Sequence, residues 1–403
     1  MRRNAQLPII SVSFLVLGNC LGVGVLALPV KYGLAGFVPA LAGIVLAWAV
    51  MLASAFIIAQ KIGEARNDTF DIPWFYGREL GPAGKWLAIA CNLVLLYGVL
   101  TAYLSGMATM VDHLFRLPVS KPAVTVLYFA VTTALVLFGG GIYRKGNVLV
   151  IVSVWICFAL LVGSGSRRFD PGLLRAADWN CFPIGLPIAI SAFHFHNLIP
   201  TVSRSLGHDR AATRKAIFIG IFLGLIINLV WVTIVLGSLP RLGTAEATIE
   251  AGFLHQVPAN VPMSFLLHSR LFLVSGFVFA ILSVTASYMA NGTGLHGFVR
   301  DLSNTYLRSD NAWLIAALAF VPPLVIALLC PDIFLGALDI VGGVGESTLF
   351  VLLPGIILLH FSRGRSRALF AAGLVMVAVG GLTTIYVLAE KAGLVDLASF
   401  PGA

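Results

Sequence analysis

Residues 11–33 read SVSFLVLGNCLGVGVLALPVKYG, and the interruption in this stretch decides how the rest of the chain is read. Up to Leu17 the residues form an apolar helix suited to a membrane. Between Gly18 and Gly24, three glycines, Asn19 and Cys20 weaken it. An unpaired backbone N–H or C=O in hydrocarbon costs several kcal/mol, so a broken helix survives there only where protein or a wet cavity covers the break. Glycines let the chain leave helical geometry and let a ligand approach the backbone, and the half-helix ends present N–H and C=O groups. Such a pair of ends suits a zwitterion.

Composition agrees that lipid is the main solvent. The 403 residues are 59% hydrophobic and 11% charged, with a mean hydropathy of +0.97, too little polar surface to cover a soluble globule. The net charge of +9 sits in short loops between apolar runs, with no aromatic-basic cluster, so no nucleic-acid partner is expected. Cys20, Cys91, Cys157, Cys181 and Cys330 lie far apart without a CxxC pair, which points to packed thiols and no disulfide framework, although Cys181 and Cys330 could share one side. Arg2 and Arg3 precede an apolar run too long for a signal-peptide core, so residues 9–30 are expected to be retained as the first span. No HExxH, GxSxG or catalytic Asp pair appears; neither an enzyme nor a cofactor is expected.

Stretches free of Asp, Glu, Lys and Arg and long enough for a hydrocarbon core of roughly 30 Å occur at 9–30, 35–60, 86–111, 122–143, 146–166, 182–203, 216–240, 271–299, 311–331 and 368–389. An eleventh, near 333–360, is apolar except for Asp339 and Glu346. The predicted fold is therefore an all-α polytopic membrane protein with 11 transmembrane helices. With the N-terminus in the cytoplasm, seventeen of the 26 Lys and Arg residues fall on the inside, Arg2, Arg3, Arg66 and Arg365 among them; Lys31 and Arg116 are counted outside. The bias favours a cytoplasmic N-terminus and an outer C-terminus.

The starts of spans 6 to 10 repeat those of spans 1 to 5 at an offset of about 173 to 189 residues. Five spans per unit make the second copy enter from the opposite side, an inverted repeat of the kind found in secondary transporters. The expected units are 1–166, 167–362 and, outside the repeat, an extra helix and tail at 363–403. The first span of the second copy is also interrupted, at Phe193-His194-Phe195-His196-Asn197 between Pro187 and Pro200. Matched breaks in corresponding spans mark a site between them.

Two ionisable features stand out inside the apolar spans. An imidazole at membrane depth needs a partner, and a reference pKa of about 6.5 lets it take and release a proton near neutrality; this draws notice to His194 and His196. Glu346, in Gly342-Gly343-Val344-Gly345-Glu346-Ser347, is a candidate proton carrier that would release its proton when a cavity opens. Asp339 lies seven residues earlier, two turns away on nearly the same face.

Several motifs in order resemble the hydroxy and aromatic amino acid permease family, in its bacterial tyrosine and tryptophan permease branch. They are Gly22-x-Gly24-x-Leu26 to Pro29 followed by Gly33 and Gly36-Phe37, Tyr97 with Tyr103-x-Ser105-Gly106, Phe193 to Pro200, and Pro322-Pro323. The resemblance spans nearly the whole chain. It implies the five-plus-five inverted-repeat fold of the amino acid/polyamine/organocation superfamily, with discontinuous helices 1 and 6, in the bacterial cytoplasmic (inner) membrane. The implied activity is import of tryptophan or tyrosine with protons. By motif position, the backbone at Asn19, Cys20, Gly22 and Gly24 and at Phe193, His194, Phe195, His196 and Asn197 would grip the amino acid's carboxylate and ammonium. Tyr97 and Tyr103 would line the side-chain pocket, although a spacing of six residues turns them about 120° apart on a helix. His196 matches the motif and is the preferred ligand contact or proton carrier; the competing reading has its ring donate to a backbone carbonyl. His194, Lys31 and Glu346 depart from the family pattern, which carries a glycine, a small residue and an apolar residue there. Sodium-coupled relatives of the fold use paired hydroxyls on span 8; here Ser283, Thr285 and Ser287 have Ala286 between them, which favours protons. A carrier of another neutral amino acid, sodium coupling and a divalent-metal carrier are the alternatives, and the 241–270 loop is a candidate lid.

Overall fold

The computed structural model describes residues 8–20, 22–65, 72–115, 118–243, 245–364 and 366–395. Arg2, Arg3, Arg66, Arg116 and Arg365, used in the orientation count, lie outside them, as does Leu21 in the first break. The first span is a pair of helices, α1 (Ile9–Cys20) and α2 (Val23–Gly33), bent by 51°. Then come α3 (Phe37–Ala65), α4 (Ile72–Phe115), α5 (Lys121–Phe138) and the 26-residue α6 (Gly140–Gly165). Short 3-10 turns lead to α7 (Phe182–Ala192) and α8 (Ile199–Ser205), followed by α9 (Arg210–Leu236). Two short helices, α10 (Ile249–Leu254) and α11 (Asn260–Leu267), precede α12 (Arg270–Leu302) and α13 (Ala312–Leu329). The next span runs from α14 (Phe334–Ile340) through a π-helical stretch, Val341–Leu352, into α15 (Leu353–Ser362), and α16 (Arg367–Lys391) ends the fold. Among the described residues nine helices are long and apolar enough to cross a membrane, and the bent pair α1–α2 makes ten. No strand occurs among the described residues, only an isolated bridge between Gly36 and Ala177.

The helix starts follow capping rules. Asp209 accepts from the N–H groups of Ala211 and Ala212, Asn311 from those of Trp313 and Leu314, and Ser366 from that of Leu369, satisfying donors that a first helical turn leaves open. At the turn before α13, Arg300 grips Asp310 with two nitrogens, at 2.9 and 3.1 Å, and holds that carboxyl below the usual carboxylate range. The start of α4 lies well upstream of the expected span, because Gly81 adopts a φ of 75° just before Pro82 and joins a preceding helical segment to the membrane helix. Only glycine takes that angle without strain.

Lys31 corrects the orientation count. It is no loop charge: it lies within α2, 2% exposed, with its Nζ 2.7 Å from Asp339 of α14. Phe253 of α10 lies under the ammonium at 4.8 Å, and Lys391 of α16 reaches Asp339 at 3.9 Å. Asp339 is also buried, so the pair ties the C-terminal half of the first span to α14. The 241–270 segment packs on the same half. Ala259 donates to the Leu26 carbonyl at 2.9 Å, and Gly252 lies against Val30. Removing one member of a buried ion pair strands the other charge, at about 3–5 kcal/mol, whereas replacing both with apolar groups is often neutral. Lys31→Met is therefore expected to lower the thermal-unfolding midpoint in detergent sharply, and Lys31→Met with Asp339→Leu to recover most of it.

Candidate functional site

Both interrupted spans leave helical geometry where they meet. α1 ends at Cys20 and α2 begins after Gly22, which is extended (φ −82°, ψ −164°). α7 ends at Ala192, residues 193–195 are irregular, and His196–Leu198 form a 3-10 turn before α8. The two breaks are joined directly: the Asn19 side-chain amide donates to the His194 carbonyl at 3.0 Å. They also approach closely, since a Cβ on Gly24 would stand 3.1 Å from the Ala192 Cα.

A cavity of about 30 Å³ opens between them. Asn19, Cys20, Gly22 and Gly24 form one wall and Ser191 and His194 another. Val99 and Tyr103 of α4, Ser287 and Asn291 of α12, Leu338 of α14 and Glu346 of the π-helical stretch complete it. Glu346 is 1% exposed and bridges to the second break: Ser191 Oγ donates to its Oε2 at 2.7 Å, and His194 Nδ1 lies 3.3 Å from its Oε1. Its position comes from the glycines before it. A Cβ on Gly342 would overlap the Pro187 carbonyl, one on Gly343 would overlap Val387, and one on Gly345 would stand 3.0 Å from Leu95. The wide helix thus nests between α7, α16 and α4, and the next residue faces the cavity. On α12, Asn291 donates to the Ser287 carbonyl at 3.0 Å and reaches the Tyr103 hydroxyl at 3.4 Å.

Beside this polar cavity lies an apolar crevice of about 270 Å³, which shares Asn19 and Ser287 with it. Leu17, Val154, Trp155, Leu198, Ala286 and Ala290 are among its walls. It opens on the N-terminal half of the first span, whereas the C-terminal half is covered by α10, α11 and the Lys31–Asp339 pair.

Of the site residues expected from sequence, Asn19, Cys20, Gly22, Gly24, Tyr103, His194 and Glu346 meet at the cavity. The other five do not line it. Tyr97 points to α13, where its hydroxyl donates to the Leu318 carbonyl at 2.7 Å, the outcome of its offset from Tyr103 along α4. Phe193 and Phe195 are fully buried in the core. His196 turns to α3: its Nε2 lies 3.2 Å from the Met51 carbonyl, and its ring stacks on Phe350 at 4.5 Å. Asn197 does not line it either. Sequence reasoning missed Ser191, Asn291, Val99 and Leu338, and weighed Ser287 only as a cation ligand. A signal was present for two of them: Ser283, Ser287 and Asn291 recur every four residues in an apolar helix, a polar stripe on one face. Thr285 is on another face, bonded to Tyr128 at 3.1 Å.

A family model described as the tryptophan/tyrosine permease family matches residues 6–395. The chain belongs to that family. This permease is 24% identical over 341 residues to the tyrosine-specific transport system 1 of Haemophilus influenzae, covering 82% of each chain. It is 25% identical over 362 residues to a tryptophan-specific transport protein of Shigella flexneri, covering 86% of this chain and 85% of that one. Among solved structures it is similar to a manganese transporter mutant of Eremococcus coleocola, with a TM-score of 0.60 and 13% identity over 99% of this chain and 92% of that one. That similarity concerns the fold. Among the described residues of the permease, no three His, Cys, Asp or Glu side chains converge as metal ligands do.

The Asn19 bond across the breaks yields a test. Asn19→Ala removes a half-buried donor and leaves the His194 carbonyl without it, a loss of about 1 kcal/mol. Substrate binding is expected to weaken accordingly, as read by equilibrium binding of labelled amino acid. Asn19→Asp does not restore it, because a carboxylate cannot donate.

Proposed function

We propose that this permease imports tryptophan or tyrosine across the bacterial cytoplasmic membrane by proton symport with alternating access. The observation that carries the reading is the polar cavity placed where two interrupted spans meet, with Gly22 and Gly24 of one and Ser191 and His194 of the other in its walls. Its relatives' names supply the substrate class: curated relatives are tyrosine- and tryptophan-specific transport proteins. In this reading the chain has eleven spans, with a five-helix repeat at 1–166, its inverted copy at 167–362 and an eleventh helix at 363–403. The N-terminus is cytoplasmic and the C-terminus periplasmic.

The substrate's ammonium and carboxylate bind to the backbone at Asn19, Cys20, Gly22, Gly24 and His194. Its ring extends along Tyr103 towards the apolar crevice. Phe193, Phe195, His196 and Asn197 shape the break without touching the ligand, Tyr97 ties α4 to α13, and the Glu346 carboxyl carries the proton. Pockets for ligands of this size run to about 300–1,000 Å³, and the polar cavity is about 30 Å³. The substrate therefore fits only when the crevice side or the opposite side swings open, which is what alternating access requires. The crevice side serves the cytoplasm, and the side closed by Lys31 and Asp339 serves the periplasm.

Uptake of radiolabelled tryptophan and tyrosine into proteoliposomes is the test. Accumulation is expected with an inside-alkaline gradient, to collapse with a protonophore and to be indifferent to replacement of sodium by choline. Dependence on sodium would replace the coupling ion. No uptake of either amino acid would overturn the substrate.

A further inference from the structure

The reading above gives the coupling proton to Glu346, and the inference that follows rests on it. Glu346 has both carboxyl oxygens engaged by the span-6 break, Oε2 by Ser191 and Oε1 by His194. His194 is itself 8% exposed, and its Nε2 is buried without a hydrogen-bond partner. The other titratable side chains that face Glu346 across the cavity are Cys20 of α1 and Tyr103 of α4; α12 contributes the neutral Ser287 and Asn291. Among the described residues, no lysine or arginine lines the cavity. The nearest aspartate along the same span, Asp339, is occupied with Lys31 and Lys391. His196, the other imidazole of the motif, is committed to the Met51 carbonyl and does not line the cavity.

A carboxylate buried without a cation is costly, and a single proton removes the cost for the pair as a whole. The proton is either O–H on Glu346 with a neutral imidazole, or N–H on His194 beside the carboxylate; both states are neutral overall. We propose that His194 and Glu346 form one proton site, a dyad that carries the coupling proton between Nδ1 and Oε1 and reports its occupancy to span 1 through the Asn19–His194 bond. Residue 194 makes that report possible because its side chain contacts Glu346 while its carbonyl holds Asn19. The cycle balances simply. The O–H or N–H bond formed when the dyad loads from water on one side is the bond broken when it releases to water on the other. With a zwitterionic substrate, one positive charge crosses per cycle, so an inside-negative potential also drives uptake.

Two measurements on the full-length protein in lipid decide this. Infrared difference spectra between acid and alkaline buffer are expected to show a protonated-carboxyl band that is lost in Glu346→Gln and whose titration midpoint moves in His194→Gln, where Glu346 is intact. Both variants are checked for folding by size-exclusion chromatography. In proteoliposomes with a one-unit inside-alkaline gradient, one proton per substrate supports about tenfold accumulation. The ratio of that accumulation to gradient-free exchange of labelled tryptophan or tyrosine is expected to fall to near one in Glu346→Gln, and its pH profile to shift in His194→Gln. Accumulation that persists in Glu346→Gln overturns the dyad; so does a His194→Gln protein whose infrared midpoint and pH profile match the parent. A parent protein that neither binds nor exchanges either amino acid sinks the substrate reading instead, and the infrared titration still decides the dyad.

Discussion

A peptide group that loses its helical partner inside hydrocarbon must find another, and the middle of this molecule is organised around that constraint. Two spans give up their helices where they meet, and the amide of Asn19 in one satisfies the carbonyl of His194 in the other. Every other element of the site is placed with respect to that junction. α7 and α2 approach at Gly24, the wide helix enters at Gly342 against Pro187, and α4 and α12 close the remaining sides with Tyr103 and Asn291. The junction is therefore no weak point in the packing, because the Asn19 amide takes up a carbonyl that the second break releases.

The gross architecture is legible in the sequence because lipid imposes a simple rule on it: apolar runs of sufficient length become helices, and a run interrupted by glycines or prolines is interrupted for a reason. The breaks at Gly18–Gly24 and Phe193–Asn197 could be located this way. What the sequence does not carry is rotation about each helix axis. Tyr97 and Tyr103 both look like pocket residues until α4 turns one of them to Leu318. His194 and His196 are two residues apart in irregular backbone, and only the coordinates show one ring facing Glu346 and the other facing Met51. The π-helical stretch is hidden for a related reason: Gly342, Gly343 and Gly345 read as flexibility, and their use is to admit Pro187, Val387 and Leu95.

Charges inside the membrane show the same limit from another direction. Lys31, His194, Asp339 and Glu346 look like four separate oddities along the chain. In three dimensions they are two pairs, Lys31 with Asp339 and His194 with Glu346, and each pair joins an interrupted span to the span of α14 and α15. An intramembrane ionisable group is tolerated when it has a partner, so these four residues are better understood as parts of two interactions than as independent features. The partner of Lys31 lies more than 300 residues away in the sequence, which is why a count of loop charges misplaced it.

The two pairs also divide the labour between the ends of the site. Lys31–Asp339 is a full ion pair with a second lysine and an aromatic ring beside it, and it lies on the side where α10 and α11 cover the first span. His194–Glu346 has no fixed cation and lies on the cavity itself. An ion pair with its charges balanced resists change and suits a fixed contact between packed spans. In the proposed dyad the balance depends on one proton, which ties the pair to what enters the cavity. The difference lies in whether the positive charge is built into the chain or borrowed from solvent, and it follows from a lysine standing at one contact and a histidine at the other.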